Sequence, residues 1–267
     1  MGNRCQSIVV VACCLVLSAG MSIAKQPDLE PNGFWTNWNL AVSTSPGGYV
    51  DLSAILSPLS CTSDCNDVAW TIGFGPPPGD TFFYGGVEYD SIYLTTNGYA
   101  IPMNAGDPTS NSPFSQYLPD ANTPNNVIAP FWTDLDLKGT AVGDPGAGEI
   151  YAGTGTFLGG TTNYSVIEWH GVEVAFAPGQ TYTFQIWIEL GTSNVWIVYD
   201  ALSALPLFMT VGVENAPGTA GYTHYFQGLG EPPKQGVDLK VVYDPDNIFA
   251  TNFESGNLGG WTAVVGQ

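Results

Sequence analysis

The sequence predicts an all-β chain, an antiparallel two-sheet β-sandwich of jelly-roll-like form. Three observations carry that expectation. The apolar stretches are short and rich in Val, Ile, Tyr, Phe and Trp, as strands are. Glycine (33 residues) and proline (20 residues) punctuate them throughout, at the spacing of turns. No stretch keeps a long helical period, whereas two neighbouring runs alternate strictly.

Residues 1–24 read as a secretory signal peptide. Arg4 lies in a short polar start, an apolar run extends from Ile8 to Leu17, and Ser22 and Ala24 flank Ile23 at an A-x-A-like cut. The apolar run is shorter than the roughly 20 residues a spanning helix needs. Cys13 and Cys14 sit inside it, which argues against a lipidated start.

Residues 25–67 read as an N-terminal extension. Its GFWTNWNL segment (33–40) is aromatic-rich, either a further strand or an adhesive patch. The run Ser60-Cys-Thr-Ser-Asp-Cys-Asn66 holds Cys61 and Cys65, the two cysteines left once the signal is removed. In an oxidising compartment they are expected to form a loop disulfide. Metal binding is the alternative, but two thiols with no nearby histidine make half a zinc site.

The sandwich is expected over residues 68–243. Candidate strands are Val68 to Gly73, Thr81 to Tyr84, Ser91 to Thr95, Val127 to Trp132 and Glu149 to Ala152. The alternating runs YSVIEWHGVEVA (164–175) and TYTFQIWIEL (181–190) flank Ala-Pro-Gly-Gln and predict a hairpin. Val195 to Tyr199, Met209 to Glu214, Tyr222 to Phe226 and Leu239 to Tyr243 follow. The polar stretch from Met103 to Asn126 reads as a long surface loop, a common place for function. Residues 244–267 read as a separate tail.

Charge excludes partners more sharply than it names them. The chain carries 24 acidic residues and five basic ones, a formal net charge of −19. Loss of Arg4 with the signal leaves Lys25, Lys138, Lys234 and Lys240 and no arginine. Nucleic acid and anionic lipid both need clustered Lys and Arg, so neither is an expected partner. After signal cleavage no second hydrophobic span remains. The acidity has two readings, cation binding and solubility outside the cell.

Several residues are candidates for chemistry. Asp134 and Asp136 lie two apart and share a face of an extended segment, and Asp144 and Glu149 follow in a glycine-rich stretch. These oxygens suit calcium, but Lys138 interrupts the loop pattern and Pro145 stands at its twelfth position, so strand-end turn capping competes. Glu168 and His170 share a strand face, the minimum for acid–base work, and Glu173 or Glu189 would supply a second carboxylate for glycoside hydrolysis. The same spacing occurs on any solvated sheet face. No G-x-S-x-G elbow is present, and neither His170 nor His224 has a triad-like context. Trp35, Trp38, Trp70, Trp187 and Trp196 are candidates for stacking on sugar rings, with core packing as the competing reading; Trp132 and Trp169 sit in apolar contexts and read as core.

Four stretches carry a family likeness. They are FFYGG (82–86) with YDSIYLTTNG (89–98), PNNVIAPFWTDLD (124–136), VIEW (166–169) and TVGVENA (210–216). In this order, across residues 68–226, they resemble a module of secreted bacterial proteins that accompanies subtilisin-like peptidases and surface adhesins and is similar to the nidogen-type extracellular domain. The resemblance implies a β-sandwich without catalytic residues. The insert GPPPGD (75–80) departs from the pattern ahead of FFYGG. The FESG…W run near the end is similar to a short C-terminal element of bacterial exported proteins. The expected function is non-catalytic adhesion or binding of an extracellular protein or polysaccharide, at the cell surface or in the medium, with calcium as a candidate cofactor. A secreted glycan hydrolase and a structural envelope or matrix protein are the alternatives.

Overall fold

The computed structural model describes residues 37–61, 65–75, 80–139, 146–156, 159–175 and 177–245. The signal residues 1–24, Trp35, Asp144 and the FESG…W run lie outside the described residues.

The strands, in chain order, are β1 (Trp38–Val42), β2 (Cys65–Asn66), β3 (Ala69–Gly73), β4 (Phe82–Tyr84), β5 (Val87–Tyr89) and β6 (Ser91–Thr95). Then come β7 (Ala100–Met103), β8 (Ile128–Trp132), β9 (Leu135–Leu137), β10 (Glu149–Thr156), β11 (Asn163–Val174) and β12 (Ala177–Glu189). The last are β13 (Val195–Leu202), β14 (Thr210–Glu214), β15 (Gly221–Phe226), β16 (Leu229–Gly230) and β17 (Leu239–Tyr243). One sheet runs β1-β17-β13-β12-β11-β9-β2, with β10 also on β11; the other runs β16-β15-β14-β8-β7-β6-β3. Every pairing is antiparallel. The chain is thus the expected all-β sandwich.

Within the 25–67 segment, β1 and β2 both join the first sheet. β1 extends the first sheet beyond β17, and β2 extends it beyond β9. Each covers a row of backbone groups that an edge would leave unpaired. The Cys61–Cys65 disulfide is present, with Cα atoms 5.8 Å apart, at the entry to β2.

The Ala-Pro-Gly-Gln signal does not make the hairpin turn. Val174 already pairs with Ala177 and Glu173 with Thr181, so Pro178 to Gln180 bulge out of the ladder. The Gly179 N–H is satisfied by Glu173 Oε1 at 2.9 Å. A proline without an N–H and a glycine at positive φ suit a bulge as well as a turn.

Between the sheets lies the main core, in which Trp169, Phe184 and Phe131 stack at centroid spacings of 5.0 and 5.3 Å. Buried polar tips reach across it. Trp169 Nε1 donates to Thr95 O and Tyr199 OH to Pro130 O, at 3.1 and 2.7 Å, while Tyr84 OH, from the separate β4–β5 ladder, donates to Val127 O at 2.7 Å.

Both outer faces are covered as well. Leu52 packs with Tyr151, Val166, Trp187, Trp196 and Val198 on the outside of the first sheet. The 104–126 connection covers Tyr99, Ile101, Ala129 and Trp132 on the outside of the second. This double burial explains why β7, β8 and β14 are buried at every position instead of alternating.

Candidate functional site

The 104–126 connection is held to the second sheet by side chains that satisfy its backbone. Thr223 Oγ1 accepts the Leu118 N–H at 2.7 Å and donates to Leu118 O at 2.6 Å. Thr210 Oγ1 donates to Gln116 O and Trp132 Nε1 to Ser112 O, at 2.6 and 2.9 Å. Leu118 sits in a gap left by Gly212, where a Cβ would come within 3.1 Å of it.

This connection encloses a cleft of about 300 Å³ against β5 and β7. Tyr89, Ile101 and Pro102 line one side, and Thr109, Ser110 and Thr123 to Asn126 the other. The volume is at the lower end for small-ligand sites. Asn126 occupies the rim in a left-handed conformation, φ +63°, and its amide donates to Pro102 O at 2.6 Å. The only charged residue among the lining groups is Asp107.

Behind this wall, Glu214 is fully buried at the end of β14. Its Oε2 accepts the Asp120 N–H at 3.0 Å. Burial, helped by the Asp120 charge, pushes its carboxyl up to about 8.

A second polar cluster lies on the opposite outer face. Asp51, Glu168 and His170 place ligand-type atoms within 4.8 Å of one another, the one such trio among the described residues. Glu168 is fully buried; it accepts Tyr49 OH at 2.7 Å and the Leu52 N–H at 2.8 Å, with His170 Nδ1 3.1 Å away. Beside it Gln185 accepts Trp187 Nε1 at 2.9 Å and donates to Val50 O. The two side chains pin residues 49–52 to the sheet. Burial and the neighbouring carboxylates Glu168, Asp51 and Asp200 hold the Tyr49 hydroxyl above its ordinary range. Burial and the bond to Glu149 push Tyr151 up to about 12.

Glu168, Glu173 and Glu189 do not share a cleft. Glu173 is five positions along β11 from Glu168, and Glu189 pairs with Tyr164, four positions the other way. Strand rise puts the Glu173 and Glu189 backbones at least ~13 Å from that of Glu168 along the strands, and each carboxylate serves a different local partner. Glu173 accepts the Gly179 N–H, and Glu189 accepts Asn194 Nδ2 at 2.9 Å.

The expected calcium residues fall in different surroundings. Asp134 precedes β9, with its carboxyl raised by burial and by Asp67. Asp136 is buried within β9, opposite Glu173 and Asn66. Glu149 opens β10 opposite His170 and accepts Tyr151 OH. Asp144 lies outside the described residues.

Among the stacking candidates, Trp38, Trp187 and Trp196 are 3%, 0% and 6% exposed, so they are core residues. Trp187 and Trp196 face outward from the sheet but are roofed by residues 49–56. Trp70 is half-buried and donates to Ser60 O; Trp132 and Trp169 are buried as expected. His224 in β15 is held below the usual imidazole range, chiefly by burial. No helix among the described residues is long and apolar enough to cross a membrane.

Neither a curated protein nor a solved structure matches the chain significantly. A family model does, the one described as NIDO related, over residues 39–234. That span contains the pinned 49–52 segment, both sheets except β1's first residue and β17, and the whole loop cleft. The chain belongs to the NIDO-related, nidogen-like family.

Proposed function

We propose that this chain is a secreted or surface-displayed, non-catalytic binding module that takes an extracellular ligand, a polysaccharide or a protein segment, in the cleft under the 104–126 connection. The cleft is the observation that carries the reading. Largely apolar side chains line one wall, and hydroxyls and amides the other, with one carboxylate and no cation. Such a lining suits a neutral, hydroxyl-rich or amide-rich chain and repels polyanions. The family and the Cys61–Cys65 disulfide support an extracellular setting.

A glycan array and a panel of extracellular-matrix proteins test the reading, each probed with the wild type and with Ala216→Trp and Thr109→Trp. Both substitutions start from exposed residues at the cleft and fill it. The expected result is a ligand that the wild type binds and both variants lose. Equal binding by the variants, or no ligand in either panel, rejects the cleft as the binding site. Repeating the screen with calcium and with chelator, beside calorimetric titration of calcium itself, tests whether Asp134, Asp136, Asp144 and Glu149 take part. Absence of heat and of any calcium effect removes the cofactor from the proposal.

A further inference from the structure

We infer that Glu214 is a latch that must stay protonated to hold the 119–126 wall of the cleft in place, so that the wall is firm in acid and loosens as the surroundings become neutral. The site's binding role is a consequence resting on the proposed function, whereas the latch itself is a property of the fold.

The geometry begins with a carboxyl group that is half satisfied. Glu214 Oε2 accepts the Asp120 N–H, while Oε1 is buried without a hydrogen-bond partner. The Glu214 N–H donates to Val127 O, the same carbonyl that accepts Tyr84 OH, so Tyr84 of β4 stands beside it. From β15, Gly221 closes the remaining side; a Cβ there would come within 2.8 Å of Glu214 Cβ. From above, Gly218 lets Asp120 O and Asn125 approach, since its own Cβ would come within 2.3 Å of that carbonyl. The titratable groups that act on Glu214 are thus Asp120 on the loop and Tyr84 on the hairpin, with no cation from either element.

A neutral carboxyl costs less in this enclosure than an ionised one, because it needs no counter-charge. An ionised one leaves a buried anion with one oxygen undonated and Asp120 close by, and the Asp120 N–H offsets only part of that cost. The route to water is displacement of the wall, because residues 120–126 form the roof. Those residues supply Thr123 to Asn126 to the cleft, and the Asn126 N–H is tied to Asn215 O beyond Glu214. Ionisation of Glu214 and loss of the cleft wall are therefore one equilibrium.

The sign follows from the shift upward from 4.5 to about 8. An open wall ionises Glu214 at its ordinary value, and a closed wall resists until about 8, so opening is favoured progressively between those limits and levels off above them. Hydrogen exchange at the Asp120 and Asn126 amides of the ligand-free protein, corrected for intrinsic rates, reads this directly. Protection is expected to fall roughly tenfold per pH unit between about pH 5 and 8 in the wild type and to stay level in Glu214→Gln. Level protection in the wild type, or the same slope in both proteins, overturns the latch. Should Glu214→Gln not fold, the side-chain carboxyl carbon of Glu214 in the wild type decides by NMR. A titration midpoint well above 4.5 upholds the inference and an ordinary midpoint overturns it. Exchange is read without ligand, so a failed ligand screen leaves this result standing, and a failed latch leaves the ligand screen standing.

Discussion

Glu168→Ala is the sharpest test of how the outer face of the first sheet is closed. The substitution removes the acceptor for Tyr49 OH and for the Leu52 N–H, two bonds that join residues more than a hundred positions apart. Hydrogen bonds to a charged acceptor contribute about 1.5–3 kcal/mol each. The Leu52 N–H would remain buried and unsatisfied. The expected loss is therefore roughly 3–5 kcal/mol, read as the shift in urea midpoint at constant slope. Glu168→Gln keeps one acceptor oxygen and turns an N–H group toward a donor, so about 2 kcal/mol is expected there. The loss should be local first. With the segment released, the Leu52 amide exchanges at least a hundredfold faster, by the usual factor of about ten per 1.4 kcal/mol, and Trp187 and Trp196 become accessible to a soluble quencher. An Ala variant within about 1 kcal/mol of the wild type, with Leu52 equally protected, would refute the view that Glu168 is a pin.

Other consequences can be checked by the same methods. Gly98→Ala should cost about 3 kcal/mol or more by thermal unfolding, because Gly98 has φ +75° and a Cβ there would lie 2.1 Å from Phe131 O; a cost under about 1 kcal/mol would contradict the geometry. Replacing both Cys61 and Cys65 by serine should cost about 2 kcal/mol, because the bridge closes a loop of only a few residues. A cost above about 4 kcal/mol would show that the bridge holds more than its own loop. Thr223→Val should destabilise by about 1–3 kcal/mol and raise exchange at Leu118, whose N–H it leaves without an acceptor. Across about pH 4.5 to 8 the wild type should lose stability relative to Glu214→Gln, by up to roughly 4 kcal/mol, because the folded state keeps a proton there that the unfolded chain has released. Parallel curves for the two proteins would contradict it.

Periodicity reveals the long strands well, because β11 places Ile167 and Trp169, β12 Tyr182, Phe184, Ile186 and Ile188, and β13 Val195, Ile197 and Tyr199 at alternate positions. The short strands were harder. β7 contains Pro102, and β9 is three residues carved from a stretch whose aspartates look like metal ligands. Alternation also conceals what lies above a sheet. Trp187 and Trp196 share an outward face, which suits sugar stacking until residues 49–56 are placed over it, and that placement depends on contacts across more than a hundred residues. The pair Glu168 and His170 was legible from its spacing of two, whereas Asp51 and Tyr49 carry no local signal of joining them. The loop that forms the cleft stood out by composition; its opposing wall did not, since β5 and β7 face it only once the second sheet is assembled. Glu214 belongs to a recognisable motif, but only its burial shows that its carboxyl is held above the ordinary range.

The bonds from Trp169 and Tyr199 to carbonyls across the core have a mechanical meaning. Two apolar faces alone slide over one another with little resistance, because the dispersion attraction given up at one position is recovered a step further on. Two directed bonds at separate points of the interface act as rivets against such shear. A tensile load applied along the strands would have to rupture both before the sheets could slip.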